Sequence, residues 1–215
     1  AASADKILQE FLEAKDAESR LPLIEPQMTA QSLANTILAH PLPEVDMITP
    51  ETSREVPAEG YTELPFIVSL KQGAKTIDYS MVVRQRGDNP PKVFVTPVLD
   101  ILGGRLAKYA AAPDKEIATF HVILEATSGC YDDVPDAENK FTFKLRPGPE
   151  GKDFARAYVS NLPSSRFRQM LDDPESNLHW GRRIRATVSL RWNQTEDPRK
   201  PFLELIEIKA LNWDS

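Results

Sequence analysis

Apolar residues in the first forty positions recur with a helical period. Ile7, Leu8, Phe11 and Leu12 fall at i, i+1, i+4 and i+5, with Ser3 or Asp5 available as a cap and Pro22 closing the run. After Thr29, a second candidate cap, Ala30, Leu33, Ala34, Ile37 and Leu38 repeat at i, i+3, i+4, i+7 and i+8, which predicts a second helix stopped by Pro41. Residues 41–60 carry Pro41, Pro43, Pro50 and Pro57 among Glu and Thr and read as an extended surface connector.

The period then changes to two. Phe66, Val68 and Leu70 alternate with Ile67, Ser69 and Lys71, and beyond Gln72-Gly73-Ala74 the residues Ile77, Tyr79, Met81 and Val83 alternate with Asp78, Ser80, Val82 and Arg84. This is the signature of a hairpin. A short strand over 92–96 runs into Pro97, and residues 98–112 read as a helix bent at Gly103-Gly104. Pro113-Asp114 is the expected boundary between a domain over 1–113 and a second over 114–215.

The second half predicts strands over 119–127, 140–146 and 153–160, a short helix capped by Ser164 with Phe167, Met170 and Leu171 on its inner side, then long strands over 182–192 and 202–211. Three strands, a helix and two strands is the order of a five-stranded oligonucleotide/oligosaccharide-binding-like barrel, and because order does not fix pairing a small sandwich or a cone-shaped sheet is the alternative. The fold class expected for the whole chain is α+β, with helices on an antiparallel cone-like sheet followed by that barrel.

Composition narrows the classes. The 215 residues are 41% hydrophobic and 27% charged, within the globular range, and the net charge of −6 argues against a general nucleic-acid or lipid coat. Eighteen prolines require short, punctuated elements. Cys130 is the single cysteine, so no internal disulfide forms. No apolar run reaches the length of a membrane span, and the chain opens at Ala1 without a basic or apolar leader. It is expected to be soluble as given, a trimmed or processed chain whose signal or anchor has been lost.

Four stretches carry a family resemblance: residues 11–15 with 18–24, residues 99–105 (LDILGGR), residues 130–136 (CYDDVPD) and the tail at 210–213 (ALNW). On these the chain resembles a group of uncharacterised bacterial proteins, many of them membrane-anchored. The resemblance implies a first half similar to the cystatin-like cone of the nuclear transport factor 2-like superfamily, and it supplies no catalytic residues. It also motivates an expected placement at the cell envelope, as an extracytoplasmic domain.

Candidate chemistry is sparse. His40, His121 and His179 lie far apart, none at chelate spacing with a carboxylate or cysteine, so no zinc site and no cofactor are implied. Asp132, Asp133 and Asp136 sit in an acidic loop with oxygen ligands suited to a hard cation but without the EF-hand glycine. Lys140, Lys144 and Arg146 on one strand, and Arg183, Arg185 and Arg191 on another, alternate with inward apolar positions, which makes them candidates for a positive groove that takes single-stranded nucleic acid or an acidic glycan. In a cone-shaped first half, Asp78, Tyr79 and Asp100 are candidates to line a small-molecule or hydrolytic pocket. Trp180, Trp192 and Trp213 read as core or junction anchors. The function expected first is a non-enzymatic binding or interaction module with a protein partner; a cone pocket and a polyanion groove are the alternatives.

Overall fold

The computed structural model describes residues 3–214. Contacts divide the chain between Gly104 and Arg105, with Asp214 counted in the first unit. The architecture is mixed α and β, with two sheets and few helices.

The first unit begins with α1 (Ala4–Glu13), where the Ser3 hydroxyl accepts the Lys6 amide at 3.4 Å and Asp5 lies in the first turn. Ile7, Leu8, Phe11 and Leu12 are buried, as the period requires. The run stops well before Pro22: after Glu13 the chain opens and restarts as α2 (Ala17–Arg20), capped by Asp16 on the Ser19 amide at 2.8 Å. The second helix is also shorter than its periodicity predicts. Thr29 and Ser32 form a reciprocal capping box at the head of α3 (Ala30–Leu33), but Thr36 then caps a separate 3-10 turn, Ile37–Ala39, by accepting the Leu38 amide at 3.2 Å. Leu33 and Leu38 still reach the core from the two pieces.

Strands β1 (Ile24–Glu25), β2 (Val45–Pro50), β3 (Arg54–Val56), β4 (Tyr61–Gln72), β5 (Lys75–Gln85) and β6 (Lys92–Phe94) form one sheet in the order β1-β6-β5-β4-β2, with β3 also on β4. The β4–β5 hairpin pairs continuously from Thr62↔Gln85 to Gln72↔Lys75. Two features depart from expectation. The stretch over 41–60 is not a free connector, since β2 and β3 pair with β4; the prolines are tolerated because β2 is an edge strand with weak alternation in burial. The sheet is not wholly antiparallel either, because β1 runs parallel to β6. Helix α1 packs on β5 and β6; its Leu8 and Phe11 are buried, as are Val68, Leu70, Met81 and Val83 of the sheet.

Helix α4 (Thr96–Ile101) ends at the glycine pair. A Cβ on Gly103 would lie 2.5 Å from the Leu99 carbonyl oxygen, and Gly104 has φ +82, so the bend needs both glycines.

The second unit carries α5 (Arg105–Ala111), β7 (Ala118–Thr127), β8 (Lys140–Arg146), β9 (Ala155–Ser160), α6 (Arg166–Asp172), β10 (Ile184–Asn193) and β11 (Phe202–Ala210). The five strands close into a barrel in the order β10-β11-β9-β8-β7, and β10 pairs back on β7. All neighbours are antiparallel except β9 and β11, which meet in parallel at the single pair Glu204↔Tyr158. Phe120, Val122, Leu124, Phe141, Phe143, Leu145, Val188 and Leu190 fill the interior. Residue Ser165, not Ser164, stands at the N-cap of α6 and makes no side-chain cap; Phe167 packs edge-on against Phe143 at 5.8 Å. Trp213 is buried, its indole N–H shared between the Val122 and Ala186 carbonyls at 3.1 and 3.2 Å, and Trp192 donates to the Tyr109 carbonyl at 2.8 Å. Trp180 is half-exposed rather than a core anchor, resting its ring on Phe141 at 4.9 Å.

One buried cation ties the helical part of the first unit together. The Arg20 guanidinium donates to the carbonyls of Phe11 (3.0 Å), Leu38 (2.7 Å) and His40 (2.6 Å) and also to Ala14. It is fully buried, and burial pulls its pKa below the ordinary arginine value. Arg20→Leu leaves four carbonyls without donors and is expected to cost about 3–5 kcal/mol in a denaturant titration. Arg20→Lys, with three donors, is expected to recover part of that loss; equal stability of wild type and Arg20→Leu would refute the role.

Candidate functional site

The outer wall of the barrel holds an open groove of about 580 Å³ lined by Lys140, Tyr158, Arg166, Glu196 and Phe202, among others. Barrel closure places these residues. Tyr158 and Glu204 face each other across the parallel β9–β11 seam, while Lys140 opens β8 and Glu196 lies in the loop between β10 and β11. The Lys140 ammonium bonds Glu196 at 2.7 Å, donates to the Pro135 carbonyl and stands 5.0 Å from the centre of the Phe202 ring. Beside it a second hollow of about 320 Å³ lies between the acidic loop, Arg156, Trp192 and Phe202. The Tyr158 hydroxyl donates to Asp132, and its pKa is pushed well up, first by burial and then by that carboxylate.

The six basic residues read as a positive groove are placed differently from that expectation. Lys140 and Arg146 are buried, although they sit opposite the inward apolar positions of β8. Alternation fixes the face of a strand, not what covers that face. Arg146 bonds Glu125 at 2.7 Å and Arg183 bonds the same carboxylate at 3.2 Å, while Arg191 pairs with Glu204 at 3.2 Å. Lys144 stands in register with Glu125 on one side and Arg156 on the other. Arg185 lies 5.8 Å from the Trp213 ring. Cross-strand carboxylates therefore neutralise much of the expected stripe.

The acidic loop is engaged by hydrogen-bond donors of the protein itself, both charged and neutral. Asp132 takes Arg156 and Tyr158, Asp133 takes Lys200 at 2.8 Å, and Asp136 takes the Asn139 amide at 2.7 Å. Among the described residues no group of three or more His, Cys, Asp and Glu side chains is gathered to hold a metal ion. In the first unit Asp78 accepts from Ser69 at 2.5 Å, and Tyr79 is buried and donates to Gln72 at 3.1 Å, which leaves burial to push its pKa up. Asp100 is buried on α4. None of these three lines either groove or the cavity of about 420 Å³ around Glu25, Arg84 and Arg86, a cluster that alternation alone did not single out.

No family model matches the chain, and no curated protein or solved structure does.

The Glu125 cluster has a pH signature. Burial acts to raise the Glu125 pKa, but hydrogen bonds and charge from Arg146 and Arg183 outweigh it, so the net direction is downward from 4.5. A depressed carboxylate contributes stability that is complete above its unfolded value and is lost as pH falls through the lower folded value. Denaturation of wild type between neutral pH and pH 2 is therefore expected to show an acid-side loss that Glu125→Gln lacks. Parallel curves for the two proteins would contradict this.

Proposed function

We propose that the chain is a non-enzymatic binding module whose second unit is an oligonucleotide/oligosaccharide-binding-like barrel adapted to a protein partner. The first unit is assigned, in the same reading, to a cystatin-like arrangement of helices on a sheet, and the module to the cell envelope. What supports the barrel assignment is its strand order, its one parallel pair and the helix between the third and fourth strands.

One observation carries the binding role: the groove of about 580 Å³ lies where the loop before β8 and the loop before β11 meet β9, the side on which barrels of this kind take extended ligands. Its chemistry favours a polypeptide over a polyanion. Asp136, Glu196 and Glu204 line it beside Lys140 and Arg166, the lysine is held by Glu196, and Leu162 presents an exposed apolar side chain at its edge. An extended segment with an apolar anchor and a basic residue complements that surface.

Leu162→Asp places a charge at the exposed edge of the groove and is expected to weaken partner retention about ten-fold or more, as loss of a buried leucine contact would. Ile117→Asp, at an exposed position outside the groove lining, is the matched control and is expected to retain the partner. Affinity capture from native membranes with both variants checks this. Equal retention by the two would refute the groove as the binding surface.

A further inference from the structure

Strand β11 outruns its neighbour on one side. It pairs with β10 from Asn193↔Phe202 to Thr187↔Ala210, but with β9 only at Glu204↔Tyr158. In that parallel register Ser160, the last residue of β9, falls opposite Ile206, so residues 207–210 have no strand beyond them on that side. Among the described residues no backbone hydrogen bond reaches 207–210 except within the ladder to β10, and the Ile206 carbonyl takes the Arg166 guanidinium at 2.6 Å. An unpaired strand edge is a template for a further strand, and the side chains along it decide which one.

Those side chains form a pattern that complements itself. Two register shifts against β10 add twist to this end of β11, yet exposure still alternates: Ile206, Ile208 and Ala210 are half-buried, while Glu207 and Lys209 are exposed. Glu204, earlier on the strand, is held by Arg191 and Asn193. The Glu207 and Lys209 side chains have no ion pair or hydrogen bond among the described residues.

A second copy laid antiparallel about a two-fold axis at Ile208 sets Ile208 opposite itself, Glu207 opposite Lys209 and Ile206 opposite Ala210. Unlike charges then face each other on both sides of the axis, and apolar positions meet apolar ones. Centring the pairing on Glu207 or on Lys209 sets like charges face to face. A centre between two residues sets exposed positions against half-buried ones. The bond from Arg166 does not block the arrangement, because a carbonyl oxygen has a second lone pair.

We infer that two copies of this chain associate through the 206–210 edge of β11, as an antiparallel pair centred on Ile208. None of these five residues lines the barrel groove, so the surface is separate from the one assigned to the partner.

The test is sedimentation of the intact chain at low salt across about 1–200 μM, the range in which a small, polar-edged interface associates. The mass is expected to rise with concentration from 24.1 kDa toward twice that value, and added salt is expected to weaken the rise. Glu207→Lys sets lysines opposite each other and Lys209→Glu sets glutamates opposite each other, so each variant alone is expected to lose association about ten-fold or more. An equal mixture of the two variants opposes lysines to glutamates and is expected to regain the doubled mass, a recovery that misfolded chains cannot produce. The double variant, with both charges exchanged, is expected to associate as wild type does. A wild type that stays at the single-chain mass throughout, single variants that associate as wild type does, or a mixture that stays at the single-chain mass would overturn the inference.

Discussion

In the second unit the constraint that places every surface group is closure of the barrel. Once β10 pairs with both β7 and β11, β11 has to return beside β9, and it does so in parallel with a single matched pair at Glu204↔Tyr158. That seam is the shortest pairing in the barrel and it borders the groove. Closure also dictates the electrostatics. Strand neighbours bring Glu125 beside Lys144 and Arg191 beside Glu204, so basic residues that look like a stripe in the sequence arrive with acidic partners.

The first unit depends on a different device. Its helical segment is broken into short pieces, none long enough to be stable by propensity alone, and their ends leave carbonyls without amide partners. Arg20 gathers four such oxygens in one buried guanidinium. A planar five-donor group suits this geometry, and hydrogen bonds to a charged donor are stronger than neutral ones.

The strands of the second unit were legible because two-residue alternation over Phe120–Ala126, Phe141–Leu145 and Ala186–Leu190 maps directly onto a filled interior, whereas their pairing was not, since element order leaves more than one closure open. The bend at Gly103-Gly104 was legible for a steric reason that holds locally. The breaks in the early helices were not, because Thr36 caps a new turn only once the chain has left the helix at Ala34, a choice tied to the Leu33 and Leu38 packing. Strands β2 and β3 were hidden by prolines that an edge position tolerates. At the candidate sites, the side of the strand carrying Lys140 and Arg146 could be read, but their covering depends on Glu196 and Glu125, remote in sequence, and on flanking loops that fold back to bring the Pro135 and Gly151 carbonyls over them. The Glu25–Arg84–Arg86 cluster depends on the parallel β1–β6 pairing, for which a two-residue strand leaves no periodic signal.

The central claim is that the barrel groove is the surface this protein uses. Amide hydrogen exchange of the intact chain, with and without its captured partner, tests that claim most directly. Slowed exchange confined to β9, the start of α6 and the 193–205 stretch is the expected result. Unchanged exchange there, with protection on other elements, would contradict it.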